Sequence, residues 1–212
     1  RGIDMEEYLI PAKAAEAEYI EKKSRFIGNV FPVSSEEEVR ACLEQIRKKH
    51  YDARHHCYCY RLSNGVVRAS DGGEPQGTAG QPMLAVFTRE NVQDVLCVVT
   101  RYFGGILLGA GGLTRAYAKT AKDALDAAGI AKRCVWDVIE IPCSYAFLER
   151  AKLELTAQDG VIEAIDYGAQ ILIRASLPQE HTAALCARLR ELSAGSVAVM
   201  EVEKTYRASV IK

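Results

Sequence analysis

The chain has 212 residues, 49% of them hydrophobic and 26% charged, with a formal net charge of -1. That length and composition can bury one large core or two small ones, and no apolar run approaches the length of a membrane span. The near-neutral balance excludes a protein coated in positive charge, as a non-specific nucleic-acid binder would be, so any basic surface must be local. Seven cysteines, mostly inside apolar runs and with no secretory signal, point to reduced thiols in a cytoplasm. Met5 reads as the natural start, with Arg1 to Asp4 an appended remnant.

In chain order, the pattern predicts a strand at about 13–33, a helix at about 35–49, strands at about 55–70, a loop-rich stretch to about 82, a strand at about 95–102 and a helix at about 112–128. A capping box, Ser34-x-x-Glu37, would start the first helix, whose apolar Val39, Leu43 and Ile46 share one face. Beyond Trp136 the pattern restarts: strand at about 138–143, helix 145–158, strands 161–167 and 170–176, helix 179–193, strand 197–206. That βαββαβ order is the ferredoxin-like split motif. The fold class is therefore α+β in two domains, residues 5–137 and 138–212, and the basic patches belong to the first.

Five glycines (Gly104, Gly105, Gly109, Gly111 and Gly112) lie in nine residues between the buried strand and the last helix of the first domain. A helix N-terminus leaves its first amides unpaired and carries partial positive charge, so a phosphate can approach such a backbone closely. Neither familiar nucleotide loop fits. The NTPase loop needs Lys after its last Gly, where this chain has Ala110, and the dinucleotide fingerprint fails at Thr114. Arg115 and Lys119, one helical turn apart, extend a basic stripe to Lys122, and Arg101 ends the entering strand. The plain alternative is that the glycines only permit a tight turn and close packing.

Other clusters carry weaker signals. Lys22-Lys23-Ser24-Arg25 would clamp phosphate if it lay beside the glycines, and would otherwise be a solvated cationic turn. Asp71, Glu74 and Thr78 sit in the loop Ser70 to Gly80; the two carboxylates suit a cation or acid-base pair, but turn formation accounts for them better. His55, Cys57 and Cys59 share one strand face without a second ligand pair, which favours core cysteines and no metal site. His56, Tyr58 and Tyr60 occupy the other face, where they would either stack on bases or enter a core.

Three segments carry a family resemblance: Lys22-Lys-Ser-Arg-Phe-Ile27, Ser70-Asp-x-Gly-Glu-Pro-x-Gly-Thr-Ala-Gly80 and Arg101-Tyr-Phe-Gly-Gly-x-x-Leu-Gly-Ala-Gly-Gly-Leu-x-Arg-Ala-Tyr117. Together they resemble the YigZ/IMPACT family over nearly the whole chain from Met5. Gly72, where the family commonly has a second Asp, and Cys59, where a small residue is usual, depart from its pattern. The resemblance implies an N-terminal domain like the second domain of a small-subunit ribosomal protein and a ferredoxin-like C-terminal domain like domain V of elongation factor G. It also implies a link to translational control in the cytoplasm, without a secure catalytic activity.

These readings converge on a non-enzymatic, RNA-binding or ribosome-associated protein. Its phosphate contacts would come from Arg101, the five glycines, Arg115, Lys119, Lys23, Arg25 and His56, with no cofactor and no membrane partner. Two alternatives stay open: an enzyme or binder of a phosphorylated small molecule using the same loop, and an adaptor whose C-terminal domain docks a protein.

Overall fold

The computed structural model describes residues 7–210, so Met5 lies outside the described residues. Tyr8–Lys132 and Arg133–Arg207 form two compact units, each an α+β assembly. The first contains strands β1 (Tyr8–Pro11), β2 (Ala15–Glu21), β3 (Ser24–Pro32), β4 (His55–Arg61), β5 (Val67–Ser70) and β6 (Val95–Tyr102). Its helices are α1 (Glu36–Lys49), α2 (Gly80–Arg89) and α3 (Gly109–Ala128).

The main sheet runs in the order β2-β3-β6-β4-β5, with the pairs β2/β3, β3/β6, β6/β4 and β4/β5 all antiparallel. Helices cover both faces, which explains the unbroken apolar run of central β6. On one face Phe26, Val30, Cys57, Cys59, Cys97 and Val99 meet Met83 and Phe87 of α2 and Ala116, Tyr117, Ala121 and Ala124 of α3. On the other, Tyr60, Leu96 and Val98 meet Val39, Leu43 and Ile46 of α1. Close approach of α3 depends on Gly28 of β3, where a Cβ would fall 2.9 Å from Thr120 Cγ2.

Several elements differ from the sequence expectation. The first predicted strand is a hairpin, closed by Lys22 and Lys23 with φ of 46° and 66°. Positive φ at both central residues is the mark of a type I′ turn, a conformation that lysine adopts at a cost and glycine or asparagine adopts readily. The cap of α1 is shifted by one residue: Ser35 Oγ accepts from the Glu38 amide, and Glu38 Oε2 accepts from the Ser34 amide. Helix α3 begins at Gly109, so three of the five glycines lie inside its first turn. Helix α2 was not expected at all.

The second unit is built from β7 (Ile130–Cys143), a 3-10 turn at Tyr145–Phe147, α4 (Leu148–Ala157), β8 (Val161–Tyr167), β9 (Ile171–Pro178), α5 (Gln179–Leu192) and β10 (Met200–Val210). Strand β7 starts earlier than expected, and its first residues Ile130 to Lys132 belong to the first unit. The strands lie in the order β10-β7-β9-β8, with β9 antiparallel to both neighbours, as the split βαββαβ motif requires. Ile139, Ile141, Ile173, Ala175 and Leu177 pack against Ala151, Leu155, Leu185 and Leu189 of the two helices. Among the described residues, no helix is long and apolar enough to cross a membrane.

Candidate nucleic-acid interface

The three sequence segments singled out above meet at one end of the first unit's sheet. Register places Phe26 of β3 opposite Arg101 of β6, and Arg25 opposite Tyr102. Gly104 then presses on the β2/β3 turn so closely that a Cβ there would fall 2.0 Å from the Lys23 carbonyl carbon. The hydroxyl of buried Ser24 accepts from the Gly104 amide at 3.2 Å and from Arg101 Nη2 at 3.2 Å, tying hairpin to loop.

Arg101 is not a surface cation. Its side chain is 6% exposed and that of Glu74 is 4% exposed, with Arg101 Nη1 donating to Glu74 Oε1 at 2.8 Å. The same carboxylate oxygen accepts from the Tyr117 hydroxyl at 2.7 Å. Burial pushes the phenol of Tyr117 far up, so it stays a donor. One carboxylate oxygen therefore links the end of β6, the loop before α2 and the third turn of α3. The expected phosphate contact at Arg101 is corrected to a structural one: a guanidinium held by Glu74 and Ser24 inside the core cannot reach a solvent-borne phosphate.

Asp71 is also committed to structure. Its Oδ1 accepts from the Ala79 and Gly80 amides at 3.0 and 2.9 Å, and its Oδ2 from Gly77 N at 2.8 Å. It thereby caps α2 from several residues upstream, where the adjacent Ala79 offers no side-chain cap. Burial alone would raise the Asp71 carboxyl, but the three amides outweigh it and hold it below its usual value. Thr78 donates to the Pro75 carbonyl at 2.6 Å. Cys57 donates to the Asp71 carbonyl at 2.9 Å, and burial pushes its thiol up to about 12.

What remains exposed is a smaller set of groups. Lys22, Lys23 and Arg115 are exposed and make no ion pair among the described residues. Arg25 pairs with Glu18 at 2.7 Å, and Lys119 pairs with Asp123 at 2.8 Å with its ammonium 5.3 Å from the centroid of the Tyr19 ring. A groove lined by Tyr19, Glu21, Gly112, Arg115, Ala116 and Lys119 runs along the start of α3. That helix starts without a side-chain cap and without an acidic residue in its first turn, and Gly109, Ala110 and Gly111 are exposed. His56 lies apart: it shares the α1 face of the sheet with Tyr58 and Tyr60, and its Nδ1 is 3.1 Å from Thr100 Oγ1. Burial and the neighbouring Arg47 charge lower its pKa, so it adds no charge at neutral pH.

Sequence reasoning passed over Ser24, Tyr117 and Phe103. Tyr117 read as one more apolar position, although a buried tyrosine hydroxyl needs a partner, which was the available signal. Phe103 sits beside the glycines 53% exposed, and Leu107 is 83% exposed.

Comparison with known proteins agrees with this architecture. Residues 22–125 match the model of the Impact N-terminal domain, and residues 141–196 match a domain of unknown function, DUF1949. The chain is 37% identical to IMPACT family member YigZ of Escherichia coli, covering 94% of this chain and 100% of that protein. It is 35% identical to IMPACT family member YvyE of Bacillus subtilis, covering 94% and 93%. A solved structure titled as that of a hypothetical protein is 37% identical, with a TM-score of 0.60 over 94% of this chain and 98% of that one. The Dictyostelium discoideum protein IMPACT homolog is 41% identical over 42% of this chain, which spans 27% of that protein. With two relatives of this identity over almost their whole lengths, the chain belongs to the IMPACT family.

Proposed function

We propose that this chain is a non-enzymatic, cytoplasmic RNA-binding or ribosome-associated protein linked to translational control, which contacts RNA phosphate through the start of α3 and the β2/β3 turn. The observation that carries this reading is the start of α3, glycine-lined and without a side-chain cap, beside cations that make no ion pair among the described residues: Arg115 on the helix, and Lys22 and Lys23 on a turn that abuts Gly104. Exposed amides at the positive end of a helix of this length favour an anion. Side-chain cations contribute the salt-dependent part of the affinity.

The acid-base and nucleophile candidates favour this reading over an enzyme. Asp71 caps a helix, Glu74 neutralises a buried guanidinium, and Cys57 is a buried thiol with its pKa near 12. None of the three is free to serve a substrate.

Filter binding of poly(U) at several salt concentrations tests the reading. Arg115→Ala and Lys23→Ala should each weaken binding and flatten the plot of log K against log salt by about 0.7 of a slope unit per lost contact. Lys119→Ala should flatten it less, because Asp123 already pairs with that charge. An unchanged slope in correctly folded Arg115→Ala and Lys23→Ala would overturn the assignment of this face.

A further inference from the structure

Phe103 ends a series of ring and guanidinium contacts that begins in the core. The Phe26 ring meets the Tyr117 ring edge-on, at 5.2 Å between centroids and 89° between planes. The Arg101 guanidinium lies 5.4 Å from the Phe26 centroid, and the Phe103 centroid lies 5.6 Å from that guanidinium. Glu74 and Ser24 fix the guanidinium, and Ser24 fixes the next residue, Gly104, by its amide. The ring of Phe103 thus rests against a fixed guanidinium and precedes a fixed backbone amide, while about half of its surface stays in water.

An aromatic ring in this position is a platform prepared for one more planar group. Its inner neighbour is a cation, and the exposed side chains of Ile106 and Leu107 follow in the same loop. Lys22 and Lys23 lie on the turn that Gly104 abuts, and Arg115 lines a groove with Glu21 along the start of α3, which has no side-chain cap. A purely apolar partner would use the ring and leave these cations without a role. A nucleobase on its phosphodiester chain uses both, since any base can stack while its phosphates meet cations and amides.

We propose that Phe103 is a stacking platform for an unpaired nucleobase, so that the RNA this face selects is single-stranded or looped rather than duplex. A base inside a duplex has both faces covered and cannot lie on the ring. This rests on the RNA-binding reading above and adds the class of RNA.

The test uses the full chain, with an oligouridylate carrying one 2-aminopurine as the single strand and poly(A)·poly(U) as the duplex. Phe103→Leu keeps an apolar side chain and removes the ring; the variant's melting temperature confirms its fold. Its affinity for the single strand should fall roughly tenfold, as for loss of one stacked base. Its affinity for the duplex and its salt slope should be unchanged, since no charge is lost. The 2-aminopurine should be quenched by the wild type and by Phe103→Trp, and less by Phe103→Leu. If the wild type binds RNA through Arg115 and Lys23 yet Phe103→Leu matches it on the single strand, or loses single strand and duplex equally, the stacking assignment falls and the RNA reading stands. If the wild type binds neither probe, both fall, and the exposed loop belongs to a protein contact.

Discussion

Replacing Glu74 by Ala should be among the most damaging single changes in the first unit. The Arg101 and Glu74 side chains are 6% and 4% exposed, so removing the carboxylate leaves a guanidinium buried without its counter-charge. Breaking such a pair by deleting one partner costs about 3–5 kcal/mol, most of it the penalty of the stranded charge. Arg101 Nε already lacks a partner, and Tyr117 loses its acceptor in the same variant. For a unit of this size that loss corresponds to a melting temperature lower by roughly 10 °C or more. Two companion variants separate the terms. Tyr117→Phe removes one hydrogen bond from an otherwise balanced pair and should cost about 1 kcal/mol. Glu74→Gln keeps an acceptor but not the charge and should fall between the two. Urea unfolding of the full chain, followed by circular dichroism and fitted transition by transition, reads all three. A cost below about 1 kcal/mol for Glu74→Ala would mean that water reaches Arg101, and the buried-strut account would be refuted.

The glycines of the same region should respond in opposite directions. Gly104→Ala drives a Cβ into the Lys23 backbone and should destabilise by more than about 2 kcal/mol, whereas Gly111→Ala, whose Cβ would meet only Arg115 Nη1 at 3.5 Å, should stabilise by about 0.5–1 kcal/mol through helix propensity; thermal unfolding distinguishes them. Asp71 has its carboxyl held below its usual value of 3.8, so its stabilising contribution is fully present above that pH and is lost as pH falls through the lower folded value. The stability gap between wild type and Asp71→Asn should therefore narrow on acidification, and a gap that is constant with pH would contradict the capping role.

The parts of the fold that follow local rules were legible in the sequence. Period-3.6 apolar spacing located α1 and α3, β-branched continuity located β6, and the strand-helix order after Trp136 gave the split βαββαβ motif. Helix α2 was not legible, because its cap is Asp71, well upstream of Ala79, and capping rules look only at the adjoining residue. The hairpin turn was missed for a related reason: Lys22-Lys23 is a poor primed-turn sequence, and it holds its positive φ values where Gly104 lies against the Lys23 carbonyl and Ser24 accepts the Gly104 amide. At the candidate site, spacing singled out three segments that the fold brings together, but assigned Arg101 to solvent. Whether an arginine at a strand end faces water or a carboxylate depends on a tertiary partner, here Glu74, 27 positions away in sequence.

That reassignment changes the electrostatics expected of the interface. With Arg101 buried against Glu74, Arg25 paired with Glu18 and Lys119 paired with Asp123, the cations near the start of α3 that make no ion pair among the described residues are Lys22, Lys23 and Arg115. Each neutralised phosphate of a single strand contributes about 0.7 to the salt slope, so full engagement of all three gives a slope of about -2. A slope that shallow implies modest salt-dependent affinity, with exposed amides and the Phe103 ring supplying the rest. On the proposed RNA-binding reading it also fits a near-neutral net charge, since that reading calls for a few placed groups and not a basic coat. Titrating poly(U) against the wild type over a range of salt measures the slope directly. A value steeper than about -4 would require cations beyond these three, such as Arg47, Lys48 and Arg54 at and just beyond the C-terminal end of α1, and would refute a contact confined to the start of α3 and the β2/β3 turn.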